Sequence, residues 1–193
     1  MRPRQRSAPA KDPWELSRFA DIHPAAKRHF APWKNGGGQT AEIICHPKGA
    51  GFNDFGWRIS TARVASSGPF STFPGVTRNL TVIEGGILQL GFPDGRQEVL
   101  DARSAPLEFA GDIACDCVLT GDTVLDLNVM VRAPHRARVH RGGPVGPTQG
   151  LRLIFALRDL PQVGLARYDL AQLLAGETLP PLDKTDAITI EID

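Results

Sequence analysis

The stretch Thr123–Arg132 reads TVLDLNVMVR, and its regular alternation of side chains decides the fold class. Successive side chains of an extended strand point to opposite faces. One face carries Leu125, Leu127, Val129 and Val131, and the other carries Asp126, Asn128, Met130 and Arg132. The apolar face predicts a core strand. The other face is either solvent-exposed or part of a pocket wall, and Met130 in its middle argues against full exposure.

The same alternation recurs along the chain and predicts an all-β protein with little helix. Twenty glycines and sixteen prolines suit short strands joined by frequent turns. Roughly ten strands with little helix between them favour antiparallel pairing in a barrel or sandwich. Besides Thr123–Arg132, strands are predicted at Ala41–Cys45, Phe55–Val64, Arg78–Glu84, Ile87–Phe92, Ile113–Leu119, Leu151–Leu157 and Ala187–Ile192.

Two segments depart from this pattern. Leu170–Ala175 predicts one short helix, with Asp169 as its N-cap and Gly176 closing it. The segment His135–Gly150 is rich in Arg, Gly and Pro. It is expected to be an exposed loop or a linker between two halves.

Composition excludes several classes of function. The net charge of +1 gives no global attraction to nucleic acid or to a membrane surface. No apolar run is long enough to span a bilayer, and no signal-peptide core follows the arginines near the start. The three cysteines cannot form a complete disulfide set, and reduced thiols favour a cytoplasmic location.

Metal and nucleophile chemistry are also unsupported by the residues. None of the five histidines forms an H-x-H or H-x-x-x-H pair, so neither a metal centre nor another cofactor is expected. A Ser or Cys nucleophile with a neighbouring base is not evident either. An enzyme therefore stays an open alternative that is less favoured than a binding protein.

The strand around Arg58 has apolar side chains on both faces, which suggests enclosure. An enclosed guanidinium needs an anionic partner, because burying an unpaired charge is costly. Asp126, Glu84 and a ligand carboxylate are the candidates. The residues alone leave an internal salt bridge and a ligand clamp equally open.

Two turn-forming motifs stand near this strand. PWKNGGG at Pro32–Gly38 is either a tight turn or a backbone that lets an anion approach, with Lys34 and Asn35 as donors. GPFSTFPG at Gly68–Gly75 carries Phe70 and Phe73, which either line a pocket or plug the end of a barrel.

Three long motifs closely resemble the HutD/Ves family. They are PWKNGGGQTAEI at Pro32–Ile43, WRISTARVASSGPFSTFPGVTRNLTVIEGG at Trp57–Gly86 and FAGDIACDCVLTGDTVLDLNVMVR at Phe109–Arg132. The resemblance implies a cupin-type double-stranded β-barrel, with two barrels in one chain (a bicupin). On that basis, residues 1–30 form a tail and lead-in strand, residues 31–135 the first barrel, and residues 136–193 strands completing the second.

The resemblance also implies a site and a role. The motif positions that become ligand-binding candidates are Lys34, Asn35, Arg58, Ser60, Phe70, Ser71, Arg78, Asn128 and Met130. The family is linked to bacterial histidine utilisation, which it is thought to restrain by binding an anion such as N-formylglutamate, and its Ves branch to stress and cold response. The metal-binding residues of cupins are missing, which implies a metal-free site.

Two other functions and the assembly stay open at this stage. One is a metal-free isomerase or lyase acting on a small acid or sugar, with Glu84 or Asp126 as its base. The other is a regulator that contacts a protein through the arginines of His135–Gly150. A homodimer is compatible with the resemblance, and nothing in the sequence excludes a monomer.

Overall fold

The computed structural model describes residues 18–146 and 150–193, which fold into three antiparallel sheets. One 3-10 turn at Ala25–Lys27 is the helical element in this part of the chain. The strands are β1 (Phe19–His23), β2 (Ala31–Pro32), β3 (Gly38–His46), β4 (Trp57–Val64), β5 (Gly68–Phe70), β6 (Val76–Glu84), β7 (Ile87–Gly91), β8 (Gln97–Leu100), β9 (Leu107–Ala110), β10 (Cys115–Thr120), β11 (Val124–Arg132), β12 (Ala137–Arg141), β13 (Leu151–Ala156), β14 (Leu170–Leu173) and β15 (Ala187–Ile192).

The all-β prediction is confirmed, and each of the eight strands predicted from alternation overlaps an observed strand. A six-stranded sheet lies at the centre of the molecule, in the order β2-β3-β4-β11-β6-β9. It packs between a five-stranded sheet, β1-β14-β13-β15-β12, and a four-stranded sheet, β5-β10-β7-β8. The division into two cupin barrels stays a prediction.

Both faces of the central strand β11 are covered, so the alternation marks two environments within the protein. The apolar face, with Leu127 and Val129, packs against Leu153, Phe155 and Ile188 of the five-stranded sheet. Each of these large side chains contributes about 1.5–3 kcal/mol when it leaves water. This contact is therefore a hydrophobic core that holds two of the sheets together.

The opposite face of the central sheet turns toward the four-stranded sheet. Part of it is apolar, because Leu80 and Val82 of β6 pack against Leu88 and Leu90 of β7. The rest of this face carries polar residues of the same strands, among them Arg58 of β4, Arg78 of β6 and Asp126 of β11. The apolar part and the polar part of this face lie on the same three strands, so the sheet fixes their relative position.

The helix predicted at Leu170–Ala175 is wrong, because Leu170–Leu173 forms strand β14 between β1 and β13. Leu170 packs into the core on one side of the sheet, whereas Ala171 and Leu173 pack into the cluster on the other side. A strand covered on both faces has no alternation and resembles a short helix in sequence. Asp169 caps backbone all the same, by accepting from the Ala25 and Ala166 N–H groups.

The interpretation of His135–Gly150 as an open loop or linker is also wrong in part. Ala137–Arg141 forms strand β12, which pairs with β15 at the edge of the five-stranded sheet. Arg141 donates from Nη2 to the Val82 carbonyl of β6 at 2.7 Å and from Nε to the Ser104 carbonyl at 2.8 Å. The bond to Val82 connects this segment to the central sheet. The alternating Ala137 and Val139 of the segment also pack toward the core.

The described residues include no helix with the length and apolarity required to cross a membrane. The cysteines Cys45, Cys115 and Cys117 are free and buried.

Candidate functional site

Strand register places the polar residues of the central sheet in three successive rows. Met130 of β11 lies between Arg58 of β4 and Arg78 of β6. The next row contains Ser60, Asn128 and Leu80, and the third contains Ala62, Asp126 and Val82. Since neighbouring strands lie about 4.8 Å apart, the Cα atoms of the two arginines are separated by roughly 10 Å.

A cavity of about 540 Å³ opens above these rows. The β2–β3 loop, the β3–β4 loop and the β5–β6 segment complete its wall. All nine ligand-binding candidates line it, namely Lys34, Asn35, Arg58, Ser60, Phe70, Ser71, Arg78, Asn128 and Met130. The other lining residues are Ala31, Pro32, Trp33, Thr40, Phe52, Ala62, Pro69, Phe73 and Asp126. The structure thus brings together residues from three separate motifs, and their role in binding stays a prediction.

Arg58 is enclosed, with 8% of its surface exposed, and its protein partner is a residue that the sequence did not suggest. Its Nε donates to Oε2 of Glu42 at 2.8 Å, and its guanidinium lies 4.4 Å from the centre of the Phe52 ring. The expected partners Asp126 and Glu84 are therefore wrong. In residues 18–146 and 150–193, no acceptor bonds to Nη1 or Nη2 of Arg58.

Glu42 lies on the same face of the central sheet as Arg58, next to a break in strand register. The β3–β4 ladder pairs Glu42 with Ser60, and the register then shifts between Glu42 and Ile44. Such an irregularity re-aims the side chains on either side of it. Glu42 itself stays 40% exposed at its side chain. It holds the Nε side of Arg58 from the rim of the cavity.

Arg78, Asn128 and Asp126 form a buried hydrogen-bonded chain across two strands. Arg78 Nη2 donates to Asn128 Oδ1 at 3.1 Å, and Asn128 Nδ2 donates to Asp126 Oδ1 at 2.6 Å. Burial raises the pKa of Asp126 to about 7, although the positive charge of Arg78 opposes the shift. Burial likewise lowers the pKa of Arg78. Arg78 and Asp126 are therefore both desolvated, and no direct ion pair between them offsets the free-energy cost.

Aromatic rings surround the Arg78 guanidinium. The centres of the Phe70, Phe73 and Phe109 rings lie 5.5, 5.4 and 5.0 Å from its central carbon. Arg78 Nη1 also donates to the Ser71 carbonyl at 3.3 Å, whereas its buried Nε has no partner among the described residues. Phe70 and Phe73 thus line the cavity wall around a buried cation, and each such contact contributes about 0.5–2 kcal/mol.

The glycines after Lys34 form a tight turn. The Gly37 N–H donates to Asn35 Oδ1 at 3.0 Å, so this amide is already engaged by the protein. A Cβ at Gly38 would lie 2.4 Å from the Arg63 carbonyl oxygen, which explains the need for glycine at the start of β3. Lys34 and Asn35 are exposed at the rim, where their side chains remain reachable from solvent.

Arg132 fastens together the two loops that carry exposed aromatic rings. Its Nη1 donates to the Pro74 carbonyl at 2.6 Å, and its Nη2 donates to the Phe52 carbonyl at 3.2 Å. The rings of Phe52 and Phe73 consequently face each other with centres 5.8 Å apart. This contact closes one side of the cavity rim. The sequence predicted neither Phe52 nor Glu42 at the site.

The residues of the cavity suit anion binding better than metal binding. In the described ranges, no group of three or more His, Cys, Asp or Glu side chains is placed to hold a metal ion. The cavity wall instead presents Lys34, Arg58 and Arg78 against a single carboxyl group, that of Asp126. Unused guanidinium donors next to open space are suited to a carboxylate, because they match its geometry and charge.

Comparison with known proteins places the chain in a family. The model of the HutD family matches residues 25–191. Protein Ves of Citrobacter koseri is 38% identical over 136 residues, covering 68% of this chain and 70% of that protein. An uncharacterized 21.2 kDa protein encoded in the hutC 3' region of Pseudomonas putida is 40% identical over 114 residues, covering 55% of each chain.

Two solved structures share the whole fold. A conserved protein of unknown function from Pseudomonas aeruginosa PAO1 superposes with a TM-score of 0.74 at 31% identity, covering 90% of this chain and 98% of that one. HutD from Pseudomonas fluorescens SBW25, in a formate condition, also gives a TM-score of 0.74, at 29% identity, and covers 89% and 97% of the two chains. The chain belongs to the HutD family.

Proposed function

We propose that this protein binds a small anionic metabolite in the cavity above Arg58 and Arg78, and that it does so as a sensor that restrains histidine utilisation. The observation that carries the proposal is the state of Arg58, which is enclosed, fixed at Nε, and has both Nη groups available toward the cavity. A volume of about 540 Å³ lies in the range of small-molecule sites.

The charges of the site favour a ligand with two anionic groups. Arg58 and Arg78 flank Met130 in one row, so two carboxylates separated by a short carbon chain can each meet a guanidinium. Lys34 adds a third cation at the rim, and Ser60 and Asn128 offer polar groups between the arginines. N-formylglutamate has two carboxylates joined by a short carbon chain, and it carries a formamide on the carbon that bears one of them.

The relatives supply the biological context. One of them is encoded in the hutC 3' region of Pseudomonas putida, and a structural relative is HutD of Pseudomonas fluorescens. A protein that senses an intermediate of a catabolic pathway can limit the flux through it. N-formylglutamate, an intermediate of histidine degradation, is therefore the first candidate ligand.

A thermal-shift titration tests the proposal. A ligand at about 100 times its dissociation constant adds ~2.7 kcal/mol to the free energy of unfolding, which is readily measured as a rise in melting temperature. We expect this rise with N-formylglutamate and a smaller one with glutamate, urocanate or formate. The absence of any rise with all four at millimolar concentration would contradict the proposal.

A metal-free enzyme is the second candidate, and one observation favours it. Asp126 lines the cavity with a pKa near 7, which is the range suited to a general base or acid. An isomerase or lyase would act on a small acid held by the two arginines. Incubation with histidine-pathway intermediates, followed by NMR, distinguishes it: turnover lost in Asp126→Asn supports the enzyme, and unchanged substrates favour the sensor.

A further inference from the structure

Asp126 is a buried carboxyl group in the wall of the proposed anion site, and its role as inferred here depends on that site binding an anion. The carboxyl group is 1% exposed, it lines the cavity, and it lies two residues along β11 from Asn128. Its Oδ1 accepts from Asn128 Nδ2 at 2.6 Å. The nearest guanidinium, that of Arg78, reaches it through the Asn128 side chain. Asp126 is thus a buried carboxyl group without a direct ion pair to Arg78, because Asn128 lies between the two side chains.

Two neutral donors also favour the ionised form of Asp126, namely the side-chain amide of Asn128 and the backbone N–H of Ala62 on β4. Among the charged and titratable side chains of the surrounding strands, Arg78 on β6 and Cys117 on β10 interact electrostatically with Asp126, and Cys115 on β10 interacts with Arg78. Arg58 is already engaged by Glu42. Burial raises the pKa of Cys117 to about 12, so this thiol is neutral and adds no positive charge. Arg78 is the one cation that stabilises an ionised Asp126 within the described residues.

An anionic ligand would remove the electrostatic stabilisation that Arg78 gives to an ionised Asp126. When a carboxylate pairs with Arg78, the guanidinium is neutralised by the ligand, and a second negative charge enters a site of low polarity. Two carboxylates that share one cation in a desolvated site cannot both stay ionised without a large cost. Of the two, Asp126 is the more deeply buried. It is therefore the group that becomes protonated.

We propose that Asp126 is a specificity-determining residue that takes up a proton from solvent when an anionic ligand binds, and then donates a hydrogen bond to a neutral acceptor of that ligand. The carboxylic acid places its O–H next to the cavity, where an amide or formyl oxygen can accept it. A free ammonium group offers no acceptor there. The site would thus select an acylated acidic amino acid over the unmodified one near and below neutral pH.

Titration calorimetry with N-formylglutamate in buffers of different ionisation enthalpy measures this proton uptake. With a pKa near 7, Asp126 should take up about half a proton per ligand at pH 7 and nearly one at pH 8. The affinity should then fall up to about tenfold per pH unit above pH 7. Glutamate should show no uptake, because its ammonium favours the ionised Asp126.

Two Asp→Asn variants provide the matched comparison. Asp126→Asn is a neutral mimic of the protonated acid and should bind N-formylglutamate with an affinity that no longer depends on pH between 6 and 8. Asp116→Asn, at an exposed position of β10, should retain the full proton uptake of the native protein. Proton uptake that persists in Asp126→Asn, or binding of N-formylglutamate by the native protein without any uptake, would overturn the inference while leaving the binding function intact.

A measurement without ligand tests the same residue independently. The folded pKa of Asp126 lies above the ordinary value of 3.8, so its contribution to stability is complete below pH ~4 and is lost as pH rises through about 7. Relative to Asp126→Asn, the melting temperature of the native protein should therefore fall between pH 5 and pH 8. Equal pH profiles would overturn the inference. If none of the four candidate ligands binds, the proposed function fails, and this inference fails with it.

Discussion

Two buried arginines, Arg152 and Arg58, show how the same side chain is used differently in two regions of the molecule. Arg152 lies in the five-stranded sheet and donates from Nε and Nη2 to Glu191 Oε1 at 3.0 and 2.6 Å, while Nη2 also meets the Gly146 carbonyl. Arg152 and Glu191 side chains are 10% and 8% exposed. This pair is closed, because each charge has its counter-charge in the protein.

Arg58 is buried to a similar extent but has a partial partner. It contacts Glu42 through Nε alone, and the side chain of Glu42 is 40% exposed. Arg152 and Arg58 differ in how many of their donors the protein engages, so the burial of an arginine by itself says little about its function. A guanidinium that binds a ligand is distinguished by N–H donors that have no protein acceptor and lie next to a cavity.

The largest expected effect is the loss of ligand binding in Arg58→Met. Removal of two charged hydrogen bonds, each worth about 1.5–3 kcal/mol, should weaken the affinity for N-formylglutamate by more than about a hundredfold. The melting temperature without ligand should change little, because Glu42 remains hydrated when its partner is removed. Calorimetry and thermal unfolding of the same preparation measure both quantities.

The opposite pattern is expected in Arg152→Met. It leaves Glu191 buried next to a weaker partner, since Arg138 is 64% exposed and contacts Glu191 Oε2 at 3.3 Å. The free energy of unfolding should fall by about 3 kcal/mol. Urea unfolding measures the loss, and the affinity of the folded protein for N-formylglutamate should be unchanged. A strong effect on binding would show that the two regions are not independent.

A smaller effect is expected in Glu42→Gln, which tests the rim carboxylate as a competitor for Arg58. The amide can still accept a hydrogen bond from Nε, but it no longer repels an incoming anion. The affinity for N-formylglutamate should rise up to about tenfold at low salt, and the gain should shrink as salt is added. Weaker binding at every salt concentration would mean that Glu42 mainly positions the guanidinium.

The smallest effect is expected in Phe52→Leu. The ring is 53% exposed and stacks over Arg58, so its loss should remove about 0.5–1 kcal/mol of cation–π stabilisation. The affinity should fall roughly two- to fivefold. Phe30→Leu is the control, because this half-buried ring stacks on Arg63 at the same distance of 4.4 Å but does not line the cavity, so the affinity should be unaltered.

Strand β11 could be predicted from sequence, because one face of Thr123–Arg132 is fully apolar and the alternation is therefore clear. The nine site residues followed from the family motifs, and they line one cavity. Strand β14 could not be predicted, since a strand buried on both faces loses its period. Other missed strands, such as β2 and β5, have two or three residues and carry no pattern.

Glu42 and Phe52 escaped prediction for a different physical reason. Glu42 lies next to a register shift in β3, and AEIIC contains no sign of that shift. Phe52 lies in a loop whose position depends on Arg132, a residue 80 positions away in the chain. Long-range contacts of this kind become visible only in three dimensions. Asp126 was suggested as a salt-bridge partner of Arg58, and it instead reaches Arg78 through Asn128.

A crystal structure of the protein grown with N-formylglutamate tests the account most directly. It should show one ligand carboxylate within about 3 Å of Arg58 Nη1 and Nη2, and the other toward Arg78. A ligand bound elsewhere, or a saturating ligand that contacts neither the Nη groups of Arg58 nor the guanidinium of Arg78, would contradict it.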